Sequence, residues 1–289
     1  MASCNNDDDN SLEIRDPLEV ALENDEDIVA FLESHFYNYE EFENPGTDFN
    51  FRIVIDTIAG ENIDKRPLMD FVTIKNITVA EIDYKLYYLI ARQGVGEMPH
   101  QADRATLTFR GNLLDATRFE SIEVPVRTVL SFNRANQNEP GTIRGFREMA
   151  ALLKGASDSV KNPDGTITYS NDYGIGAVFM PSGLAFTFQG AGLVPAYAPI
   201  YFRIEMYDSE EMDHDGDGIA SYLEDLDGDG NPFNDDTDGD RVENFNDPDD
   251  DGDGILTRFE ITINEDETIT FPDCDGDGTP DYLDRDICR

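Results

Sequence analysis

The chain has 289 residues, of which 39% are hydrophobic, and a formal net charge of −41. This length and composition predict two modest domains with an apolar core, and the charge excludes a nucleic-acid-binding surface, which needs a basic patch. From Ser209 onward the sequence carries 29 acidic and 4 basic residues, so much of the charge lies in the C-terminal segment. No stretch approaches the roughly 20 consecutive apolar residues of a membrane-spanning helix.

The first twenty residues predict a tether for a lipid anchor. In "MASCNNDDDN" a small residue precedes Cys4 and a polar Asn/Asp run follows it, a pattern typical of a lipoprotein cleavage site. We expect a basic, apolar leader upstream of Met1 in the full reading frame, lipidation of Cys4, and a disordered tether over residues 1–20. The predicted location is the cell envelope, as an outer-membrane lipoprotein on the periplasmic face or the cell surface, with membrane contact through the lipid only.

Residues 21–82 predict a small N-terminal α/β region of one helix and several strands. "DEDIVAFLESHFYNYEEF" has an acidic first turn and apolar residues at Ile28, Phe31 and Leu32, continuing to Phe36, which indicates a short amphipathic helix. "FRIVID" and "FVTIKNITV" follow as candidate strands. This region contains no catalytic motif.

Residues 83–208 predict an antiparallel sheet around one helix. "YKLYYLI" and "ATLTF" alternate as strands with Leu107 and Phe109 on one face, and "YFRIEM" turns alternate residues inward from Phe202. "GFREMAALLKG" has apolar residues at helical spacing and is closed by Gly155, while "NPDG" predicts a hairpin turn. These elements give an α+β domain in which a half-wrapped antiparallel sheet surrounds a single helix.

Three stretches of this domain resemble the FKBP-type peptidyl-prolyl cis-trans isomerases. They are "LTFRGNLLDATRFES", "TIRGFREMAALLKGA" and "VFMPSGLAFTF…GLVPAYAPIYFRIEM", and they occur in the family's order. The first is similar to the family's strand-turn-strand and the second to its Ile-Arg-Gly lead into the single helix. The third is similar to the Pro-Ser-x-Leu-Ala-aromatic turn and closing strand. The resemblance covers roughly residues 84–208, and the whole layout is similar to FKBP-like lipoproteins of the Bacteroidetes type.

The resemblance implies isomerisation of X–Pro bonds in proline-containing extracytoplasmic polypeptides, a folding or chaperone role, and no cofactor for catalysis. The positions that match the family's pocket are Phe109, Phe119, Glu120, Ile143, Phe146, Phe186, Val194 and Phe202. By this resemblance Phe119, Phe146 and Phe202 would form the walls and floor of an apolar cup. The Ile143 N–H would anchor the substrate chain, and Glu120 would place a carboxylate near the reacting carbonyl.

Four of these positions depart from the family's usual residues. Phe109 and Phe186 stand where tyrosines are usual, Phe146 where tryptophan is frequent, and Glu120 where aspartate is usual. A neutral hydrogen bond contributes about 0.5–1.5 kcal/mol, so each lost hydroxyl slows catalysis up to roughly tenfold. We therefore expect a weakened isomerase. The alternative, which the missing tyrosine hydroxyls favour, is a non-enzymatic calcium-binding surface protein whose inactive FKBP-like domain binds other proteins. Taken alone, each aromatic is typical of ordinary core.

The C-terminal segment, residues 209–289, repeats a calcium-loop pattern five times. With Asp213 at position 1, short carboxylates fall at positions 3 and 5, glycine at 6 and an acid at 12, as a calcium loop requires. The candidate ligands, loop by loop, are Asp213, Asp215, Asp217 and Glu224; Asp225, Asp227, Asp229 and Asp236; Asp236, Asp238, Asp240 and Asp247; Asp249, Asp251, Asp253 and Glu260; and Asp273, Asp275, Asp277 and Asp284. Loops two and three share Asp236, and loop three has Arg241 where glycine is expected.

A disordered acidic tail is the alternative interpretation of this segment. It predicts acids in no fixed register, whereas all five loops place an acid at position 12 and three end on "YLE", "RFE" or "YLD". Hard oxygen ligands favour Ca²⁺ as a structural ion that supplies much of the folding free energy. The segment resembles the thrombospondin type 3 repeats, with little regular structure. Cys274 and Cys288 bracket the last loop, either as a disulfide or as two free thiols.

Overall fold

The computed structural model describes residues 14–131 and 142–286. Cys4 of the predicted lipid anchor and Cys288 of the predicted disulfide both lie outside the described residues. None of the described helices is long and apolar enough to cross a membrane.

The described residues form three α-helices, a six-stranded sheet and three short strand pairs. The helices are α1 (Pro17–Ser34), α2 (Tyr39–Glu43) and α3 (Arg144–Ala150). The strands are β1 (His35–Tyr37), β2 (Ile55–Thr57), β3 (Thr73–Val79), β4 (Ile82–Arg92), β5 (Arg104–Leu113), β6 (Arg118–Val129), β7 (Ser159–Lys161), β8 (Ile167–Tyr169), β9 (Gly174–Met180), β10 (Ile200–Glu210), β11 (Thr262–Ile263) and β12 (Ile269–Thr270).

The main sheet has the order β3-β4-β9-β10-β5-β6, and every pairing in it is antiparallel. The short pairs are β1–β2, β7–β8 and β11–β12. Because the helices are separate from an antiparallel sheet, the predicted α+β class is confirmed. The β7–β8 pair turns at "NPDG", where Gly165 has a φ of +87°, so the predicted hairpin is also present.

The inner face of the main sheet packs against α3. Phe202, Ile204 and Met206 alternate inward from β10 and share one buried core with Met149 of α3, as the pattern of "YFRIEM" predicts. Gly176 on β9 allows this close approach, because a Cβ there would lie 2.1 Å from the Met149 Cε. The helix thus sits directly on the strands that carry the candidate pocket.

The N-terminal region covers the opposite face of the same sheet. The Phe31 ring of α1 lies 5.8 Å from Phe179 and 5.5 Å from Tyr201, and these side chains belong to a second buried core. Strand β3, which lies within residues 21–82, pairs with β4 and forms one edge of the main sheet. The sheet is therefore enclosed between two apolar layers.

Three element boundaries differ from the sequence-based prediction. Helix α1 begins at Pro17, because the Asp16 side chain accepts the Leu18 N–H at 2.9 Å and caps the helix, and it ends before Phe36, which lies on β1. "FRIVID" contributes only the short strand β2. Helix α3 ends at Ala150, and the chain continues as a tighter turn before it reaches Gly155.

The C-terminal segment follows β10 directly and has little regular structure, as predicted. Besides β11 and β12 it forms single 3₁₀ turns at Asn244–Asn246, Thr257–Phe259 and Asp281–Leu283. Its buried apolar cluster contains Ile219 and Tyr282 together with Ile261. Such a small cluster supplies little hydrophobic stabilisation to a segment of this length.

Aromatic contacts join the first two loops of this segment to the sheet domain. The rings of His100 and Tyr222 stack with centroids 3.8 Å apart and an interplanar angle of 4°. The guanidinium carbon of Arg147 on α3 lies 3.9 Å from the centroid of the Phe233 ring. The segment is therefore docked beside α3 through its N-terminal loops.

Candidate functional site

A cavity of about 290 Å³ opens between β5, β6 and the start of α3. Its lining is mostly apolar and consists of Phe109, Glu120, Ile122, Val126, Thr128, Thr142, Ile143, Phe146, Phe186 and Phe202. Glu120, which is exposed, is the one ionisable side chain among the described residues that line the cavity. The site can therefore exclude water from a bound apolar segment while it offers one carboxylate at the rim.

Phe202 forms the floor of this cavity and organises the other aromatic rings. Its centroid lies 5.1 Å from Phe146, 5.5 Å from Phe119 and 5.8 Å from Phe109. The interplanar angles with Phe119 and Phe146 are 88° and 87°, an edge-to-face geometry favoured by the ring quadrupoles. Phe186 closes the wall, with its ring centroid 6.1 Å from that of Phe119.

A bulge on β6 turns two consecutive residues toward the site. Gly111 pairs with Glu120 and Asn112 pairs with Arg118, so Phe119 is the extra residue between the two pairs. The Phe119 ring then lies over Gly111, where a Cβ would be 2.6 Å from the ring. Glycine is required at position 111 because any larger residue would push this ring out of the wall.

Ile143 stands at the N-cap of α3, with φ −65° and ψ 149°. Its carbonyl accepts the N–H groups of Phe146 and Arg147, both at 3.1 Å. Its own N–H makes no hydrogen bond to another described residue. Ile143 also lines the cavity, where an extended peptide could use this donor.

Asn24 of α1 holds the loop that carries Phe186 and Val194. Its side chain is 4% exposed, accepts the Ser182 N–H at 2.8 Å and donates to the Tyr197 carbonyl at 3.0 Å. One buried amide thus fixes both ends of the loop from the outer side of the sheet. No feature of the sequence pattern marks Asn24, which lies on the buried face of an amphipathic helix.

The structure brings six of the eight predicted pocket residues into the cavity lining, namely Phe109, Glu120, Ile143, Phe146, Phe186 and Phe202. Phe119 packs behind them against Phe202, and Val194 is buried in the same core. The sequence analysis missed Ile122, Val126, Thr128 and Thr142. The first three lie at even positions of β6, as Glu120 does, but the register shift between Ile122 and Val126 leaves Val124 exposed, so alternation was only a partial signal.

Carboxylates converge in the first four predicted calcium loops. Their ligand oxygens lie within 4.8 Å of one another in the triplets Asp213, Asp215 and Asp217; Asp225, Asp227 and Asp229; Asp236, Asp238 and Asp240; and Asp249, Asp251 and Asp253. The backbone supports this convergence. In loop one Asp213 accepts the N–H groups of Gly216 at 2.8 Å and Gly218 at 3.2 Å, and in loop five Asp273 accepts those of Gly276 and Gly278.

Buried carboxylate oxygens without a hydrogen-bond partner among the described residues concentrate in loops one and four. Within the segment they belong to Asp215, Asp217, Glu224, Asp249, Asp250, Asp251, Asp253 and Glu260, with Asp235 in loop two; outside the segment, Asp103 has one such oxygen. An unpartnered buried carboxylate is strongly unfavourable unless a cation binds it. The donor set, which is all oxygen, fits Ca²⁺. The triplets of loops two, three and five are more exposed.

The electrostatics of these loops agree with a bound cation. Burial, followed by the neighbouring carboxylates, raises the pKa of Glu224 to about 10 and that of Asp215 to about 8. Burial raises the pKa of Glu260 in loop four to about 7, with Asp251 as the next cause. The carboxylates of one loop therefore cannot all ionise together unless a positive charge lies between them.

Two kinds of residue in this segment were missed from the sequence. The residue at position 9 caps the N–H at position 2 in four loops, through Ser221, Asn244, Thr257 and Asp281. These short polar side chains recur at fixed spacing, which was a usable signal. Asp235 and Asp250 were also missed. Asp235 accepts the Leu226 N–H at 3.2 Å, a contact within loop two.

Loop three lacks the expected glycine, and loop five contains one cysteine of the predicted disulfide. Arg241 has a φ of +82°, a value that the glycine of the other loops adopts without strain. Cys274 is disulfide-bonded, while Cys288, its predicted partner, lies outside the described residues.

Comparison with known proteins relates the two parts of the chain to different groups. The family model "BamM C-terminal" matches residues 214–272, within the loop segment. A curated FKBP-type peptidyl-prolyl cis-trans isomerase, FkpA of Aeromonas hydrophila, is 26% identical over 162 residues, which are 56% of this chain and 52% of the relative. The chain thus spans about half the length of this curated relative.

Solved structures of isomerases are also similar to parts of the chain. The crystal structure of FkpA from Escherichia coli has a TM-score of 0.34 and 20% identity, and the match covers 47% of this chain and 51% of that one. A peptidyl-prolyl cis-trans isomerase from Pseudomonas syringae pv. tomato has a TM-score of 0.37 and 16% identity, with coverage of 68% and 98%.

Proposed function

We propose that the sheet domain is an FKBP-type peptidyl-prolyl cis-trans isomerase that acts on proline-containing polypeptides outside the cytoplasm and has a folding or chaperone role. The observation that carries this proposal is the aromatic cup around Phe202, which six of the eight family-matched positions line. The sequence similarity to an FKBP-type isomerase supports it.

The chemistry requires no acid, base or nucleophile. An X–Pro amide isomerises slowly because twisting it removes the resonance of the C–N bond, with a barrier of roughly 18–20 kcal/mol. A site that binds the twisted amide better than either planar form lowers this barrier. Water stabilises the polar, planar amide, so a dry cup favours the twisted state.

Each residue of the cavity would have a separate role in binding and orienting the substrate. Phe202 and Phe146 would hold the proline ring, since both are only 3% exposed and stand edge-to-face. The Ile143 N–H would bind a carbonyl of the substrate backbone and orient the peptide across the cavity. Glu120 would lie beside the twisting amide. Phe186 and Phe109 add apolar surface but no hydroxyl, which supports a slow enzyme.

A non-enzymatic protein-binding domain is the second candidate. The observation that favours it is the replacement of two usual tyrosines by Phe109 and Phe186, which removes both hydroxyls from the cup. A domain of this kind would bind proline-containing segments without accelerating their isomerisation.

A prolyl-isomerisation assay on an Ala-X-Pro-Phe peptide separates the two candidates. We expect the wild-type protein to accelerate isomerisation, with apolar residues preferred before proline, and Phe119→Ala to lose most of this rate. Phe259→Ala, whose side chain is 69% exposed in the loop segment, is the matched control and should keep it. A wild-type rate equal to that of buffer would reject the enzyme.

Restoring one hydroxyl tests the cause of the expected weakness. Phe186→Tyr should raise the rate up to roughly tenfold, because a neutral hydrogen bond contributes about 0.5–1.5 kcal/mol. Phe188→Tyr, two residues along the same loop and outside the cavity lining, serves as the control. An unchanged rate in Phe186→Tyr would show that the missing hydroxyl is not what limits catalysis.

For the C-terminal segment we propose a calcium-stabilised stalk. The buried, unpartnered oxygens of loops one and four support this role most strongly, with Asp213, Asp215, Asp217 and Glu224 as ligands in loop one and Asp249, Asp251, Asp253 and Glu260 in loop four. Bound calcium would neutralise the carboxylates. Loops two, three and five would bind up to three more ions through more exposed groups.

We further propose a location in the cell envelope, as an outer-membrane lipoprotein. The sequence feature that supports this proposal is the "SC" dipeptide with the Asn/Asp run that follows Cys4. Extracellular calcium modules bind with Kd values of about 10⁻⁴–10⁻³ M, which suits calcium levels outside the cytosol. Translation of the DNA upstream of Met1 should give a basic, apolar leader in frame, and its absence would reject the anchor.

A further inference from the structure

Three carboxylates from two separate loops meet at one buried point of the C-terminal segment. Asp217 and Glu224 belong to loop one, whereas Asp250 lies in loop four and is not one of that loop's spaced acids. Their ligand oxygens lie within 4.8 Å of one another. The three residues are 2%, 1% and 1% exposed, so the cluster is more deeply buried than any loop triplet.

Internal hydrogen bonds orient the two aspartates of this cluster and leave one oxygen of each unused. Asp217 Oδ1 accepts the Ile219 N–H at 2.7 Å, and Asp250 Oδ2 accepts the Thr257 hydroxyl at 3.1 Å. Asp217 Oδ2 and Asp250 Oδ1 are buried and have no partner among the described residues. The same is true of both oxygens of Glu224.

No described Lys, Arg or His forms an ion pair with any of these three carboxylates. The nearby apolar side chains, Ile219 and Tyr282, also exclude water from this part of the segment. Burial of three negative charges without a countercharge is prohibitively unfavourable. Three carboxylates that converge here and carry four unpartnered oxygens thus point to a cation.

We propose that Asp250 also binds the Ca²⁺ of loop one, together with Asp217 and Glu224, so that this one ion joins loop one to loop four. Glu224 would bind through both oxygens and each aspartate through its unpartnered oxygen. A flexible, all-oxygen set is suited to calcium, whereas zinc and copper favour nitrogen and sulfur ligands.

The shared ion would make the folding of one loop depend on another. Loops that close only on their own acid, or on one shared with the next loop as Asp236 is, would form a linear string. A shared ion makes loop one depend on loop four, so the chain folds back on itself and the two loops order together. The inference rests on the proposed calcium role of the segment and adds to it a ligand that the twelve-residue spacing does not contain.

Asp250→Asn in the full chain tests the shared site, because asparagine can still accept the Thr257 hydroxyl. We expect calorimetry with calcium chloride to show one ion fewer, or one site weakened on the order of 10–100-fold or more. Asp266→Asn is the matched control. It removes the same charge from the same segment, but Asp266 lies in the exposed β11–β12 turn, so its stoichiometry should equal that of the wild type.

Thermal unfolding with calcium and with chelator separates a ligand from a merely structural residue. If Asp250 is a ligand, Asp250→Asn lowers the unfolding midpoint in calcium but leaves it unchanged or raised in chelator, where the substitution removes repulsion. A loss of the same size in both conditions, or wild-type calcium stoichiometry, would overturn the shared site. A wild-type chain that binds no calcium would instead reject the proposed calcium role as a whole.

Discussion

The sheet domain and the C-terminal segment are stabilised by different interiors. In the sheet domain the deepest side chains are Leu86, Leu107 and Phe179, which pack in apolar layers on both faces of the sheet. In the segment the most buried side chains include Asp217 and Glu224, and apolar residues are few. The first interior is stable in water by itself, since burying apolar surface is favourable. The second buries carboxylates, so under the proposed calcium role its stability would depend on a cation supplied by the solvent.

The two interiors meet at α3, whose first residues form one side of the candidate pocket. Arg147 in this helix is 6% exposed and packs on Phe233 of loop two, and His100 stacks on Tyr222 of loop one. The Ser131 hydroxyl also lies 2.8 Å from Nε2 of His214. If calcium orders the first loops, the change would therefore reach residues beside the candidate pocket. Variants can measure how strongly the two regions are coupled.

Removal of calcium should have the largest effect, and only on one side of the comparison. With chelator we expect residues 213–286 to lose protection from hydrogen exchange, because several buried carboxylates per loop repel one another, while the main sheet stays protected. Hydrogen exchange with and without millimolar calcium measures both regions in one sample. Equal protection of the segment in both conditions would contradict a calcium-dependent interior.

The metal-free segment should also respond to pH in a defined direction. Burial raises the folded-state pKa values of Asp217, Asp215 and Glu224 to about 6, 8 and 10, above the values of about 4 in an unfolded chain. Folding therefore takes up protons, and the segment is most stable below about pH 4 and loses stability as the pH rises from there toward 8–10. Circular dichroism in chelator should show more structure at pH 4 than at pH 8.

Calcium should reverse this dependence, because protons and the ion compete for the same oxygens. In saturating calcium we expect the segment to be more stable at pH 8 than at pH 4. The same direction of pH dependence with and without calcium would indicate that the ion does not bind these carboxylates.

Phe202→Ala should destabilise the sheet domain by about 3–5 kcal/mol, since it removes a ring that is 3% exposed and contacts three other rings. The loss should be the same with calcium and with chelator, which distinguishes an apolar interior from an ionic one. Chemical denaturation followed by hydrogen exchange in the sheet measures it. Phe259→Ala, at an exposed site, should change the free energy of unfolding by no more than about 0.5 kcal/mol.

The strands of the sheet domain were well predicted because the alternation of apolar and polar residues is a local signal in the sequence. In strand β10 the inward residues Phe202, Ile204 and Met206 alternate before the register shift that follows Met206, so they could be named in advance. The start of α1 differs from the prediction because the Asp16–Pro17 cap lies before the acidic turn that indicates a helix start in the sequence. "FRIVID" gave only a short strand, and Phe51 within it has a φ of +54°, outside the extended region.

The candidate sites were predictable as far as spacing defines them. The family resemblance identified most of the residues that line the cup. The bulge at Phe119 could not be predicted in this way, because it depends on pairing between strands and not on a local pattern. In "DPDDDGDG" three aspartates follow one another, and spacing assigns Asp249 and Asp251 to loop four but leaves Asp250 unassigned. Its contact with loop one arises only when the chain folds back, which no local pattern encodes.

Phe233→Ala should weaken the coupling between the two regions without unfolding either. A cation–π contact contributes about 0.5–2 kcal/mol, and Arg147 is buried enough to lie toward the upper end of this range. A double-mutant cycle with Arg147→Met, which keeps the aliphatic volume, should give a coupling energy of this size in the calcium-loaded protein. Strict additivity of the two substitutions would show that the stack does not join the regions.

The smallest expected effect is an increase in the stability of loop three. Arg241→Gly should stabilise loop three by roughly 0.5–1 kcal/mol, because Arg241 holds a φ of +82° that costs an L-residue about 1–2 kcal/mol, part of which glycine loses again in backbone entropy. Its N–H donates to Asp236 Oδ2 at 3.0 Å, and glycine keeps this donor. Calorimetric unfolding in calcium should show the gain in the segment's transition and none in that of the sheet domain. Arg258→Gly is the control, since Arg258 lies in a helical turn where glycine destabilises. A loss of stability in Arg241→Gly would mean that the arginine side chain contributes more than its backbone strain costs.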